Sequence, residues 1–322
     1  MSDNFPRIST IITAYNSEAF LNDAIKSVMR QTFQPGEIIL IDDGSTDGTG
    51  SMAHSYIDAG LKYIRQDNLG EGAARNRGIC EAAGDWIAFL DADDLWVEDK
   101  LRLQVEFVQS HPEVGLVSGN KLWWDMEKDS YLLVRYGQIP ARNLYKELIV
   151  RNVVGDPSIT LIRRNLFDKA GLFRTDLRIG VDWEMWLRIA RHTSIGFIDA
   201  PLIIYRWHQG NVSHRYTAQR IRTEEVISYQ AINAYKHPLV RAELYLRVKS
   251  RSQVELTLDV MAKSKSKTER LKHALRAFLL FPFEDTGEKA RLLLRSLLGD
   301  QIYLALKSKF QSVGNSIDNQ SG

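Results

Sequence analysis

The chain has 322 residues, 44% of them hydrophobic and 25% charged, with a net charge of +2. The length allows a large core, and the balance is ordinary for a soluble globular protein. The one cysteine, Cys80, excludes an internal disulfide framework and fits a reducing compartment.

In chain order, Ile8–Thr13 reads as a buried strand. Glu18–Met29 then places Leu21, Ala24, Ile25 and Val28 on one helical face, with Asn16 or Ser17 as cap. Glu37–Ile41 is a second strand, followed by turn chemistry at Asp43-Gly44-Ser45 and a helix near Thr49–Ile57. Leu61–Arg65, Gly72–Ala83 and Trp86–Leu90 continue the alternation as strand, helix and strand. Cys80, among apolar neighbours on that helix, is expected to be a buried, inert thiol. Glu98–Gln109 is helical and Val114–Val117 is a further strand. Successive strand–helix units predict a doubly wound sheet, whose ligands bind at the carboxyl ends of the strands.

The middle is less regular. Lys121–Tyr136 is expected to form a hairpin, Ser158–Ile162 a strand and Asp182–Arg191 a helix. Ile195–Ile198 and Leu202–Tyr205 read as short strands separated by Pro201. Beyond Ser213 helical patterns take over, among them Arg270–Leu280 and Lys289–Leu298, with Gly299 as a cap. Residues 311–322 are polar and expected to fray.

Acidic residues collect where the strands end. Asp42-Asp43 closes the second strand, and Asp91-Ala92-Asp93-Asp94 follows the apolar run Trp86–Leu90. Three carboxylates in four residues repel one another, and a hard divalent cation is the usual remedy. Strand alternation lets Asp91 and Asp93 point at one ligand. For Asp42-Asp43-Gly44-Ser45, plain turn formation is an equal reading. Gly70-Glu71-Gly72 invites a dinucleotide fingerprint, but Arg75 replaces the third glycine. Arg75 and Arg77 suit either phosphate binding or surface salt bridges. An apolar strand ending Asp-x-Asp also leaves a phosphotransferase of the haloacid dehalogenase type open.

Taken together, these motifs resemble the family 2 glycosyltransferases. Thr13-Ala14-Tyr15-Asn16 is similar to the family's first-strand motif, although a proline often stands where Thr13 is. Asp42-Asp43-Gly44-Ser45-Thr46-Asp47, Asn68-Leu69-Gly70 with Ala74-Arg75-Asn76-Arg77-Gly78, and Phe89-Leu90-Asp91-Ala92-Asp93-Asp94 match its next three blocks. The likeness extends from Ile8 to about Ser213. It implies an α/β fold of the GT-A kind, a Rossmann-like, mostly parallel sheet flanked by helices, with a C-terminal helical extension.

The domains expected are a catalytic one over residues 1–215 and a helical region over 216–310, before a tail at 311–322. Within the first, the nucleotide-sugar half spans about 1–118 and the acceptor half about 119–215. The resemblance implies nucleotide contacts from Thr13, Tyr15, Asp43, Arg75 and Asp91, and a divalent metal (Mn or Mg) on Asp91 and Asp93. Tyr205-Arg206-Trp207-His208 with Ser213 is similar to the closing segment, where His208 reaches the diphosphate or the metal. In Val181-Asp182-Trp183-Glu184, Asp182 matches the catalytic base, with Trp183 and Glu184 on the acceptor side. Val181 replaces the family's leading glutamate there.

These parts predict a single displacement that inverts the anomeric carbon of a nucleoside-diphosphate sugar, UDP-linked in the first instance. Trp183 and Trp186 would raise the pKa of Asp182, and are themselves either core residues or sugar-stacking rings. A non-catalytic sugar binder on the same fold is the other alternative. Between Lys263 and Lys309 eleven basic residues face five acidic ones. This basic extension suits either a solvated outer face or peripheral contact with an anionic membrane that carries a lipid-linked acceptor. The basic surplus lies away from the candidate site, and no nucleic-acid partner is expected. With no secretory signal at Met1–Asn4 and no run of about eighteen apolar residues, a cytoplasmic protein is expected, at most on the inner membrane face.

Overall fold

The computed structural model describes residues 6–136, 143–211, 217–263, 266–280 and Lys289. The expected helix at Lys289–Leu298 with its Gly299 cap, the tail at 311–322, and Ser213 fall almost wholly outside them. The chain divides into two compact units, Met1–Arg215 and Tyr216–Gly322.

The first unit opens with β1 (Ile8–Ala14), α1 (Glu18–Met29), β2 (Glu37–Asp42), α2 (Thr49–His54), β3 (Leu61–Arg65), α3 (Glu71–Glu81) and β4 (Trp86–Asp91). These strands lie parallel in the order β3-β2-β1-β4. Every residue of β4 from Trp86 to Leu90 is buried, as expected of a strand covered on both faces. α1 buries Leu21, Ala24, Ile25 and Val28 against the sheet. α3 packs closely because Gly78 faces β1, where a Cβ would stand 2.3 Å from Ile11 Cγ2. Its inward residues are Gly72, Ala74, Arg75, Gly78 and Ile79, which leaves Cys80 on the outer side. The expectation of a buried thiol is therefore corrected: Cys80 is exposed, because helical rotation carries it past the inward face.

Beyond β4 come β5 (Asp94–Trp96), α4 (Lys100–Ser110), β6 (Val114–Asp125), β7 (Ser130–Val134) and α5 (Leu144–Val150). They are followed by β8 (Leu161–Arg163), α6 (Leu166–Ala170), α7 (Val181–Ile189) and β9 (Ser194–Trp207). The sheet continues β4-β8-β6-β9-β5, with β7 on β6. Here it becomes mixed: β8 is antiparallel to β4 and β6, while β6 and β9 run parallel. The expected hairpin is β6–β7. The expected strand at Ser158–Ile162 starts instead as a 3-10 turn over Pro157–Ile159, with proline at its first turn. The two short strands around Pro201 are one strand, β9. The register slips between Gly119/Ile198 and Asn120/Pro201, a bulge that accommodates proline.

The second unit consists, among its described residues, of α8 (Thr217–Ile232), α9 (Pro238–Lys263) and α10 (Lys267–Leu280). Ile221, Ile227, Leu244, Val248, Val254 and Ala274 are buried. Arg220 and Arg251 each bridge Glu224 of α8 and Glu255 of α9. No described helix of either unit is long and apolar enough to cross a membrane.

Candidate active site

β1 and β4 are neighbours whose following segments leave in different directions. In such sheets the carboxyl ends at this point are where ligands bind. Thr13 and Asp91 are register partners at that edge, and Thr13 Oγ1 donates to Asp91 Oδ1 over 3.1 Å. Arg75 reaches the same oxygen from α3 at 2.8 Å and donates to Glu71 at 3.1 Å. The guanidinium is buried and its Nε has no hydrogen-bond partner. Burial pulls its pKa down, but Asp91 and Glu71 outweigh this, and the net shift is upward. Arg77, by contrast, is half exposed and pairs with Glu81 on its own helix.

Asp93, in the turn between β4 and β5, and His208, just after β9, are far apart in sequence. His208 Nε2 lies 3.4 Å from Asp93 Oδ2, and the imidazole stacks on Phe20 with centroids 4.5 Å apart. Asn211 Nδ2 donates to the same Asp93 oxygen at 3.1 Å, while its own Oδ1 accepts from His208 N–H. The backbone that carries Asp93 is held by Arg206, which is buried. Its guanidinium donates to the carbonyls of Asp93, Ala92 and Phe20. Asp94 is buried, with Oδ1 unpartnered. Burial and the neighbouring Asp93, Asp91 and Asp156 push its pKa well up.

No set of three or more His, Cys, Asp or Glu side chains is gathered at one point among the described residues. Asp91 and Asp93 still suit a hard cation, because such ions commonly take one or two carboxylates and complete their shell with substrate phosphates and water.

Asp182 opens α7 and is half-buried. Asn152 Nδ2 donates to its Oδ2 at 3.0 Å, and Asn152 Oδ1 accepts from Val154 and Gly155 N–H. Burial raises the pKa of Asp182 to about 7, with Asp156 adding to the shift and Arg75 opposing it. Asp156 is itself bound by Lys121 Nζ at 2.5 Å.

Several expected residues stand elsewhere. Trp183 is buried and its indole N–H donates to the Leu148 carbonyl, so the expected acceptor-side ring belongs to the core. Trp186 is likewise buried, bonded to the Gly155 carbonyl. Glu184 is clasped by Arg188 at 2.7 and 2.8 Å, and Arg188 also donates to the Leu172 carbonyl, which ties α7 to the loop after α6. Asp43 is 5% exposed and accepts from Gln66, Leu69 N–H and Gly70 N–H, so its carboxylate shapes the loop after β3. Gly44 lets that loop come close: at φ 79°, it would place a Cβ 2.8 Å from Asn68 N. Tyr15 stands half exposed at the end of β1.

Asn152, Ser158, Arg206 and Asn211 hydrogen-bond to the candidate residues, contacts that sequence reasoning did not assign. Ser158 Oγ accepts from Asp91 N–H at 3.0 Å. Arg206 was signalled by its place in the Tyr205–His208 motif. For Asn152 no signal exists, because an asparagine in a Gly-Asp-Pro loop reads as turn chemistry.

A family model described as glycosyl transferase family 2 matches residues 9–171, half of the chain. The chain belongs to glycosyl transferase family 2. That membership removes the phosphotransferase alternative. An uncharacterized glycosyltransferase of Rickettsia conorii is 36% identical over 205 residues, 62% of this chain and 32% of that protein. The chain thus spans about a third of that relative's length. A Bacillus subtilis protein named for teichuronic acid biosynthesis is 29% identical over 190 residues, 58% of this chain and 73% of its own.

Among solved structures, Staphylococcus aureus TarS 1-349 in complex with UDP-GlcNAc superposes with a TM-score of 0.63 at 17% identity. It covers 91% of this chain and 92% of its own. The Pyrobaculum calidifontis mannosyltransferase PcManGT, in complex with GDP-Man and Mn2+, gives 0.57 at 21% identity, covering 92% and 87%. These likenesses show the fold, the GT-A sheet flanked by helices.

Proposed function

We propose that this family 2 chain moves a sugar, with inversion, from a nucleoside-diphosphate sugar to a hydroxyl of a glycan or lipid-linked acceptor. A UDP-sugar is the preferred donor, and bacterial cell-surface polysaccharide synthesis is the setting. The observation that carries this reading is the position of Arg75. It binds Asp91 directly and lies close enough to Asp182 for that carboxylate to raise its pKa as well. Donor-side and acceptor-side carboxylates therefore both act on one buried guanidinium.

In this reading residues up to about 118 hold the donor and residues 119–215 the acceptor, with residues 216–310 outside the chemistry. Tyr15 and Thr13 face the nucleotide beside Arg75 and Asp91. Asp93, Asp91 and His208 would hold a divalent metal, Mn2+ or Mg2+, which when bound supplies positive charge to the departing diphosphate. Asp182 takes the acceptor hydroxyl's proton as its oxygen bonds to the anomeric carbon, and the bond from that carbon to the diphosphate breaks. Attack from the face opposite the leaving group inverts the centre. A pKa of about 7 suits Asp182 to this transfer near neutral pH.

Two features support a place at the cytoplasmic membrane face: the expected basic surplus, and exposed Leu275 and Leu279 beside Lys272 and Arg276 on α10. Liposome flotation with and without residues beyond Thr268 checks this, and equal flotation would remove it.

Calorimetric titration with a panel of nucleotide sugars, in Mn2+, Mg2+ or chelator, tests the main reading. Asp182→Asn is expected to retain metal-dependent donor binding and lose turnover. A wild-type chain that binds donor without turning it over would instead be a glycan binder on the transferase fold. Failure of every nucleotide sugar to bind, with metal present, would sink the proposal.

A further inference from the structure

On β6 and β9, Lys121, Trp123 and Asp125 stand opposite Ile203, Tyr205 and Trp207. Strand alternation puts these side chains on one face of the sheet. Leu132 of β7 pairs with Trp123 and extends the face to 60% exposure. The inner end of this face is Lys121, whose Nζ binds Asp156 at 2.5 Å and sits 4.4 Å from the Tyr205 ring centroid. Asp156 follows Gly155, whose carbonyl accepts from the same Asn152 that holds Asp182.

From there an aromatic row leads outward. Tyr205 is the register partner of Trp123, and the Trp123 and Trp207 rings lie 5.6 Å apart at 50°. Lys128 Nζ stands 5.8 Å from the Trp207 centroid and pairs with Asp125 at 2.6 Å. All three rings are half-buried, and none has the full burial of Trp183 and Trp186.

Half-open indoles with an ammonium and a carboxylate beside them suit a pyranose, whose C–H face packs on aromatic faces while its hydroxyl edge takes charged or polar partners. Tyr205 and Trp207, two residues apart on one strand, are spaced by about 6.6 Å, room for successive rings of a chain.

We propose that Tyr205, Trp123 and Trp207 form a subsite for a sugar of the acceptor glycan, next to the unit whose hydroxyl is attacked. This rests on the assignment of Asp182 as the base, and makes the acceptor an oligosaccharide instead of a lone small alcohol.

The test titrates the full chain with chito-, cello- and malto-oligosaccharides of one to four units, and in parallel with UDP-GlcNAc and GDP-mannose. The readout is 5-fluorotryptophan NMR, with the Trp123 and Trp207 resonances assigned by substitution. Wild type is expected to bind at least one series with affinity rising with length, and with both resonances moving. Trp207→Ala is expected to lose about three- to tenfold of that affinity, with Trp207→Phe recovering most of it and nucleotide-sugar binding unchanged. Overturning results are no response to any series, unmoved Trp123 and Trp207 signals, or a Leu132→Asp chain that turns from dimer to monomer, which would give the face to a second copy. Loss of nucleotide-sugar binding in wild type is a separate failure, of the transferase reading.

Discussion

Asn152 Nδ2 donates to Asp182 Oδ2 over 3.0 Å, while Asn152 Oδ1 holds the backbone of Val154 and Gly155. One amide thus fixes both the orientation of the candidate base and the loop that leads to Asp156. Asn152→Ala removes a donor to the charged form of Asp182 and leaves two backbone N–H groups without their acceptor. The expected result is a loss of about 1–3 kcal/mol in stability, read by urea denaturation, with kcat reduced more than the donor KM is raised. Unchanged kcat in a folded variant would remove the positioning role.

The pH dependence follows from Asp182. Its pKa is raised to about 7, first by burial and then by Asp156, so the base is protonated below that value. Turnover should rise about tenfold per pH unit below pH 6 and level above pH 8. Asp156→Asn removes a like charge and should move the limb to lower pH. The stability effect has the opposite sense. A carboxyl whose folded pKa is raised favours the fold at low pH, and this is lost as pH rises from the unfolded value toward 7. Asp182→Asn should therefore gain stability over wild type at pH 8 and lose that advantage near pH 4.

Asp93 and His208 test the metal assignment. Nε2 of His208 and Oδ2 of Asp93 stand 3.4 Å apart, with Asn211 bridging them. Asp93→Asn or His208→Ala should weaken Mn2+-dependent donor binding by about 10- to 100-fold while leaving metal-free nucleotide binding near the wild-type level. Equal loss with and without metal would instead assign both residues to the nucleotide.

Arg206 is buried and donates to three carbonyls around the turn that carries Asp93. Arg206→Lys keeps the charge but loses the planar fork. It should cost about 1–3 kcal/mol and weaken donor binding, as measured by denaturation and calorimetry. A folded variant with unaltered donor affinity would show that the turn needs no such clamp.

Gly78 tests the closeness of α3 and β1. A Cβ there would stand 2.3 Å from Ile11 Cγ2, and Ile11 is fully buried. Gly78→Ala should destabilise by about 1–3 kcal/mol and disturb Arg75 on the same face, so a thermal melt and donor titration should shift together.

Much of the first unit was legible in the chain. The alternation of apolar runs with 3.6-residue patterns gave β1 to β4 and their helices to within a few residues, because strand and helix periodicities are local properties. The placing of carboxylates at strand ends was equally readable, since parallel strands deliver their last residues to one edge. Beyond β4 less could be read. The expected strand at Ser158–Ile162 begins as a 3-10 turn and becomes strand only at Leu161, and two strands around Pro201 merged through a bulge. Such register slips depend on neighbouring strands and leave no local period.

What the sequence by itself determined is therefore the order of elements as far as β4 and the candidate groups at the strand ends: Asp91, Asp93, Asp182 and their motif neighbours. Only the tertiary structure decided how each side chain is employed. Arg75 became a buried partner of Asp91 while Arg77, two residues on, remained on the surface. Trp183 went to the core, Glu184 to Arg188, and Cys80 to the outside. Asn152, with no motif around it, was brought against Asp182. The reason is physical: a motif fixes spacing along the chain, whereas burial and hydrogen-bond partners depend on which surface the rest of the fold brings against it.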